Sequence, residues 1–420
     1  MLARRLLPPV AVAITSPRTL AFKRSLHETG RRLRGAAHEV HYFHQVDDPY
    51  GYLVAQVLGR FADRYDVKLV PWIVGPPPDE AAPDRARYED FSAKDAADIA
   101  PFLGLEAPRR KTVDLERAQR LLAGAKAAGR FAEGALSVGR AVYGDGSLDD
   151  VAFEEADPEL AAGEAKRRSL GHYLGATFYY GGEWYWGTDR LHFLEARLAE
   201  LGLGDGAPLL PPPPEGLTVE SDKRVKVEAF MSVRSPYTYL AVARVLAWRE
   251  RLPVDLVLRP VLPMVMRGLA VPRTKRFYLL LDAAREARRQ GIPFGRIADP
   301  LGEPVERVYS IYPWADAQGR GEALFDAFTR AAWSEGIDTG SDAGLKIVVE
   351  RVGLSWDEAR PLIGTDDWRS TIDANQEALL GAGVWGVPSF RLTDGDYTYT
   401  TWGQDRLWRL EREIEARVAT

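Results

Sequence analysis

Residues 231–246 read MSVRSPYTYLAVARVL, and residues 43–58 read FHQVDDPYGYLVAQVL. Each stretch runs from an apolar segment through a polar residue and Pro-Tyr into a helix-like pattern of apolar residues. The polar residue is Ser235 in the later stretch and Asp48 in the earlier one. A polar cap followed by proline at the first helical position predicts a strand that leads into a helix. The chain carries this signature twice, which indicates two copies of one folding unit.

A second repeated motif supports the duplication. Residues 184–198 read WYWGTDRLHFLEARL, and residues 400–414 read TTWGQDRLWRLEREI. The shared core is Trp-Gly-x-Asp-Arg-Leu, which enters a helical pattern in both places. The offset between the copies is 187 residues at Asp48 and Ser235, and 216 residues at Trp186 and Trp402. The second copy is therefore longer internally.

Each copy follows the same order of predicted elements. A strand, a helix and a second strand come first, which predicts a parallel βαβ unit. A long helical stretch follows, at about 85–170 in one copy and about 273–381 in the other. A β-hairpin and a helix close each copy. We therefore predict an α/β protein with two thioredoxin-like domains in tandem, each with an inserted helical subdomain.

The domain boundaries follow from composition. Residues 1–37 are basic, with Glu28 as the only acid, and are predicted to form a basic arm that is solvated or serves as a targeting segment. The first domain is predicted at 38–205 and the second at 223–420. Between them, 206–222 contains consecutive prolines, which favour a stiff, extended linker.

Composition also limits the function. The chain has 420 residues, a net charge of −5 and no cysteine. The charge gives no reason to expect a nucleic-acid partner, and no segment has the length and apolarity that predict a membrane partner. The lack of cysteine excludes C-x-x-C disulfide exchange and fits a cytoplasmic protein.

Ser235 and Pro236 have two interpretations. A serine before a helical proline is usually a cap and nothing more. A hydroxyl at a helix N-terminus can also donate a hydrogen bond to a thiolate brought by a ligand and lower the pKa of that thiol. The stretch GVPSF places Pro388 at the start of a strand, where a cis Val387–Pro388 bond is expected to lie close to Ser235.

Several motifs of the second copy resemble the group formed by 2-hydroxychromene-2-carboxylate isomerases and kappa-class glutathione transferases, in the DsbA-like branch of the thioredoxin superfamily. The resemblance covers nearly all of 224–418, and the first copy resembles the group more weakly. The motifs are SPYTYLA, TKRFYLLLD, PFGRIADPLGEPVERVYSIYPWA, EGIDTGSDAGL and GVWGVPSF…WGQDRL.

The resemblance implies a glutathione site in the second domain. Ser235 would hold the sulfur as a thiolate, and Val387, before Pro388, would pair with the peptide backbone. Gln404 and Asp405 would hold the γ-glutamyl end, although Asp405 could equally be a helix cap. Lys275 would meet a glutathione carboxylate or an anionic substrate, or be a solvated lysine.

The first copy lacks this pattern. Asp48 replaces the serine, and Ala176 stands where Pro388 stands. An ionised carboxylate would repel a thiolate. We therefore predict that the second copy keeps a ligand-binding site and that the first copy keeps only the fold. The implied activity is a glutathione-dependent isomerase or transferase acting on a small electrophile. The alternative is a non-catalytic thioredoxin-like binding or scaffold protein, and either a homodimer or an intramolecular domain pair fits.

Histidine is confined to the first half of the chain, at 27, 38, 41, 44, 172 and 192. His38, His41 and His44 resemble a metal cluster in spacing, but residues three apart on a strand point to opposite faces. No metal site is predicted. The second domain has no imidazole, which excludes a Ser-His-Asp triad within it.

Overall fold

The computed structural model describes residues 2–109, 111–214 and 216–419, with side chains from residue 8 onward. Met1 of the predicted arm and Glu215 of the predicted linker lie outside the described residues. The chain forms two compact units. The C-terminal unit contains 214–271 and 279–420 together with the residues up to Leu20, and the N-terminal unit contains 21–213 together with 272–278.

The first half of the chain begins with two helices that cover the segment predicted as a basic arm. Its helices and strands are α1 (Leu2–Thr15), α2 (Pro17–Leu33), β1 (Glu39–His44), α3 (Pro49–Arg64), β2 (Lys68–Ile73), α4 (Arg85–Ile99), α5 (Leu115–Ala127), α6 (Phe131–Tyr143), α7 (Leu160–Ser169), β3 (Thr177–Tyr180), β4 (Glu183–Trp186) and α8 (Leu191–Glu200).

The second half repeats the order of strands with more helices between them. Its elements are β5 (Val225–Met231), α9 (Pro236–Leu246), α10 (Trp248–Arg251), β6 (Val254–Pro260), α11 (Arg273–Arg289), α12 (Glu303–Ala317), α13 (Gly321–Arg330), α14 (Asp342–Arg351), α15 (Trp356–Ala359), α16 (Arg369–Gly381), β7 (Ser389–Asp394), β8 (Tyr397–Trp402) and α17 (Leu407–Val418).

Both units contain a four-stranded sheet of the same topology. The strand order is β2-β1-β3-β4 in one unit and β6-β5-β7-β8 in the other. The first two strands of each unit are parallel, and the closing hairpin is antiparallel. This is the predicted thioredoxin-like α/β plan, and the helical insertions at α4–α7 and α11–α16 also agree with the sequence. Descent of the two units from one duplicated ancestor stays a prediction.

The central strands of the two sheets each direct an alternating set of apolar residues into the core. In the C-terminal unit the central strand β5 contributes Val227, Ala229 and Met231 to the core, each fully buried. Helix α9 is amphipathic, and its buried Ala241 and Val245 lie against this sheet. The same packing fixes where α9 begins, and therefore where its capping residue lies.

The helical pattern that begins at Pro236 is divided in the structure into α9 and α10. The segment predicted as an arm is helical in α1 and α2, and its single acid, Glu28, is buried. Within the described residues, no helix is both long enough and apolar enough to cross a membrane.

Candidate functional site

Ser235 caps the N-terminus of α9. Its backbone is extended, its Oγ accepts a hydrogen bond from the N–H of Thr238 at 3.2 Å, and Pro236 occupies the first turn. Proline lacks a backbone N–H, and in the first turn of a helix a backbone N–H would have no partner within the helix. Cap and proline together give the helix a sharp start, so a half-buried hydroxyl lies at its positive end.

The loop before β7 faces this hydroxyl. The Val387–Pro388 bond is cis, as predicted, and it is the only cis peptide bond among the described residues. Ser235 Oγ donates to the carbonyl oxygen of Val387 at 3.3 Å. The predicted proximity of Ser235, Val387 and Pro388 is therefore confirmed. Their roles toward a ligand stay predictions.

The backbone of Val387 has capacity for a further partner. Its carbonyl receives the long bond from Ser235, and no group in the described part of the chain accepts a hydrogen bond from its N–H. The residue itself is half-buried. A backbone N–H and C=O left available at one edge position can pair with an extended peptide, as an added strand does.

Side chains from the long insertion hold the loop that carries Ser235. Arg234 forms a bidentate ion pair with Asp299, at 2.8 and 3.0 Å. The indole N–H of Trp333 donates to the carbonyl of Val233 at 3.1 Å. Bidentate arginine–carboxylate pairs fix orientation as well as position. Asp299, in the motif PFGRIADPLGEPVERVYSIYPWA, and Trp333 therefore position the loop that carries the serine.

Arg267 is a candidate site residue that the sequence analysis missed. Its Nη2 donates to the carbonyl of Trp385 at 2.8 Å, two residues before Val387. Its Nε is buried without a hydrogen-bond partner. Burial lowers the pKa of Arg267 to about 10, so the side chain is still a cation at neutral pH. No acid within the described ranges forms an ion pair with it.

A cation without a counterion near a cap serine is a candidate anion site. Two extended residues span at most about 7 Å. The guanidinium therefore lies within roughly 13 Å of Ser235 Oγ, summed along Trp385 and Val387. The sequence alone could have indicated Arg267, because it is the only charged residue in the otherwise uncharged stretch LPMVMRGLAVP at 262–272.

Gln404 and Asp405 directly follow Gly403, whose N–H donates to the carbonyl of Pro388 at 2.9 Å. The amide oxygen of Gln404 accepts from Arg244 at 3.1 Å and from Gln290 at 2.9 Å, and its side chain is buried. Asp405 is half-buried. The γ-glutamyl role of both residues stays a prediction.

Lys275 belongs to the N-terminal unit, although it follows β6 in the chain. Its ammonium donates to the carbonyl of Ala81 at 2.7 Å, and the residue is buried. Burial lowers its pKa to about 8. The alternative of a solvated lysine is therefore wrong, while its role toward a carboxylate stays a prediction.

The N-terminal unit has an equivalent turn with a different backbone. In the N-terminal unit the N–H of Gly187 donates to the carbonyl of Ala176 at 2.8 Å. In the C-terminal unit the N–H of Gly403 donates to the carbonyl of Pro388 at 2.9 Å. Ala176 has φ of +50°, whereas proline is locked near −65°. The peptide bonds of this turn are trans, as predicted, and the positive φ of Ala176 excludes proline at this position.

Asp48 takes the position of the serine and caps α3 through the N–H of Tyr50 at 2.9 Å. Burial raises the pKa of Asp48 to about 7. The argument that an ionised carboxylate would repel a thiolate therefore holds only above neutral pH. Below it, the side chain is a neutral acid, so the missing proline is the more general obstacle to a ligand.

Asp48→Asn is expected to stabilise the protein at pH 8 and to have no effect near pH 3. Because the pKa of Asp48 is about 7 in the folded protein and about 4 in the unfolded chain, the wild type is fully stable below about pH 4 and loses stability as pH rises through 7. Three pKa units correspond to at most about 4 kcal/mol, and asparagine caps as well as aspartate. Thermal unfolding across this pH range tests the prediction. For Asp145→Asn, at a side chain 92% exposed, the difference in unfolding temperature from the wild type should not change with pH. The same pH-independent difference for Asp48→Asn would contradict the prediction.

Residues 226–415 match the family of DSBA-like thioredoxin domains. This segment is a DsbA-like thioredoxin domain, in agreement with the strand order of the C-terminal unit. The 2-hydroxychromene-2-carboxylate isomerase of Pseudomonas sp. (strain C18) is 26% identical to the chain over 137 residues. That alignment covers 33% of this chain and 61% of the isomerase, so the chain spans less than two thirds of that relative.

Solved structures similar to the chain include an isomerase and a disulfide reductase. A 2-hydroxychromene-2-carboxylate isomerase is 22% identical, with a TM-score of 0.39 over 46% of this chain and 95% of that one. The cytosolic disulfide reductase DsbM of Pseudomonas aeruginosa is 20% identical, with a TM-score of 0.34 over 46% of this chain and 98% of that one.

Proposed function

We propose that the C-terminal unit is a glutathione-dependent isomerase or transferase of the 2-hydroxychromene-2-carboxylate isomerase and kappa type. The observation that carries this proposal is the hydroxyl of Ser235, at the start of α9 and 3.3 Å from the carbonyl before a cis proline. The isomerase name of the Pseudomonas relative supports the same class of reaction.

The residues around Ser235 fit a thiol-bearing peptide. The backbone N–H and C=O of Val387 pair with the backbone of the peptide. The Ser235 hydroxyl turns from its long bond with Val387 and donates to the sulfur instead. The positive end of α9 favours the thiolate over the thiol. The serine is therefore the residue that lowers the pKa of the bound thiol.

Glutathione, when bound, supplies a thiolate that adds to an electrophilic carbon and is then expelled after bond rotation in an isomerase, or stays attached in the product of a transferase. The C-terminal unit has no histidine, and this chemistry needs none as a base. Ser235 stabilises the sulfur in the state that attacks and in the state that leaves.

Arg267 selects an anionic electrophile in this proposal. Besides its bond to Trp385, its guanidinium carries further donors in the planar geometry that binds a carboxylate in two places. Ser235 and Arg267 would then orient the two reactants. A carboxylate on the substrate is also what the name of the Pseudomonas relative specifies.

Arg267→Gln is expected to slow the reaction of a carboxylate-bearing electrophile by about tenfold to a hundredfold. A hydrogen bond to a charged group is worth roughly 1.5–3 kcal/mol, and about 1.4 kcal/mol is a factor of ten. The reaction of a neutral electrophile should be unchanged, which is the internal control. Arg369→Gln, at a side chain 49% exposed, is the matched variant. Equal losses on both electrophiles would contradict the role.

The test of the proposed function is turnover of 2-hydroxychromene-2-carboxylate with and without glutathione. An isomerase converts many equivalents of substrate and consumes no glutathione, while a transferase consumes one glutathione per product. Either result requires glutathione and is lost in Ser235→Ala. No reaction of this substrate or of general electrophiles, with glutathione bound, would favour the non-catalytic binding protein.

A further inference from the structure

Helix α2 faces the N-terminal unit with its polar side. Arg24 forms an ion pair with Glu183, at 2.8 Å. Glu28 is 8% exposed and accepts from the phenol of Tyr180 at 2.8 Å and from Arg31 at 2.9 Å. Residues 24, 28 and 31 are spaced to lie on one helical face. The inner face of α2 is therefore charged and fully paired.

The opposite face of α2 exposes three large apolar side chains, with the exposed Ser25 and Thr29 between them. Phe22, Leu26 and Leu33 are 68%, 62% and 83% exposed. Their spacing of four and eleven residues from Phe22 places them on one stripe. A helix of a soluble protein normally turns its apolar stripe toward the core. Helix α2 reverses this arrangement, so within the described residues its apolar stripe is exposed and does not pack against the core.

The exposed charges that residues 17–34 themselves contribute have one sign, while Glu200 of α8, 67% exposed, pairs with Arg24 at 3.2 Å. Lys23, Arg32 and Arg34 are exposed. From residue 17 to residue 34 the only acid is Glu28, which is buried and paired. The surface that α2 presents is therefore apolar and cationic together.

We propose that α2 binds an anionic lipid surface, with its helix axis parallel to the membrane. Basic amphipathic helices bury their apolar face at the boundary of headgroups and acyl chains, and their cations meet anionic headgroups. A second copy of the chain is the poorer occupant, because a two-fold contact would bring like charges face to face. This surface binding is peripheral and needs no membrane-spanning helix. It departs from the sequence expectation of no membrane partner, since composition does not show which face of a helix is exposed.

The experiment is cosedimentation of the full chain with vesicles of phosphatidylcholine alone, or with a third of the lipid as phosphatidylglycerol. The wild type should bind the anionic vesicles at least tenfold more strongly. The variant Phe22→Ser, Leu26→Ser, Leu33→Ser removes the stripe, and Lys23→Gln, Arg32→Gln, Arg34→Gln removes the charge. Each should lose most of the binding while circular dichroism stays native. Ile347→Ser, which alters a side chain 47% exposed on α14, is the control and should bind like the wild type.

Three outcomes would overturn the proposal. One is the same weak sedimentation of the wild type with both kinds of vesicle. Another is a wild type that self-associates in the absence of lipid and loses this in the serine variant, which would assign the stripe to a second copy. A loss of binding that Ile347→Ser shares would likewise count against α2 as the contact.

Discussion

Replacing Ser235 by alanine is expected to raise the pKa of the bound glutathione thiol by about one to two units. A hydrogen bond to a charged group contributes roughly 1.5–3 kcal/mol, and one pKa unit corresponds to 1.36 kcal/mol. The ratio of thiolate to thiol at any given pH should therefore fall about tenfold to a hundredfold. The absorbance of the thiolate, followed against pH with glutathione bound, measures the shift directly.

The matched control is Ser341→Ala. Ser341 caps α14 through the N–H of Gly344 at 3.0 Å, just as Ser235 caps α9. Both substitutions should cost about 1 kcal/mol of stability, but only the change at Ser235 should move the thiol pKa. Ser235→Asp keeps the cap, brings a carboxylate to the sulfur and should raise the pKa further or abolish binding. An unchanged pKa in Ser235→Ala would leave the serine as a cap only.

Gly386→Ala is expected to destabilise the protein by about 3 kcal/mol and to abolish glutathione binding. A Cβ at this position would lie 1.9 Å from Cζ2 of Trp402, so the indole or the loop must move. Overpacking of this kind typically costs 1–3 kcal/mol. The displaced loop carries Val387 and the carbonyl that Arg267 binds. Thermal unfolding and a glutathione titration measure the two effects.

Gly381→Ala is the control for this substitution. A Cβ added at Gly381, the last residue of α16, meets nothing within 4 Å. Alanine in a helix is more favourable than glycine by up to about 1 kcal/mol, so this variant should be as stable as the wild type or more so. If Gly386→Ala unfolds at the same temperature as Gly381→Ala and still binds glutathione, the close packing of Trp402 on the loop does not shape the site.

Much of the fold follows from the sequence because its signals are local. The apolar strands, the caps at Asp48 and Ser235 and the repeated Trp-Gly-x-Asp-Arg motif each act within a few residues. Their order along the chain defines the sheet topology, which is the same in both units. The cis bond at Val387–Pro388 was predictable for the same reason.

The rest of the site depends on groups distant in sequence. Arg267 becomes a candidate only because its guanidinium meets the carbonyl of Trp385, 118 residues later, and no acid. The neutral form of Asp48 near pH 7 depends on burial. The assignment of Lys275 to the N-terminal unit depends on packing of a short segment. No local pattern encodes these features.

Isothermal titration of the intact protein with glutathione, in buffers of different ionisation enthalpy, tests most directly whether Ser235 holds a thiolate. The account predicts one site per chain, with a proton released to the buffer near neutral pH because the thiol ionises on binding. Asp48→Ser should keep the single site, and Ser235→Asp should lose the proton release or the binding. Two equivalent sites, no binding, or binding without proton release in the wild type would contradict the account.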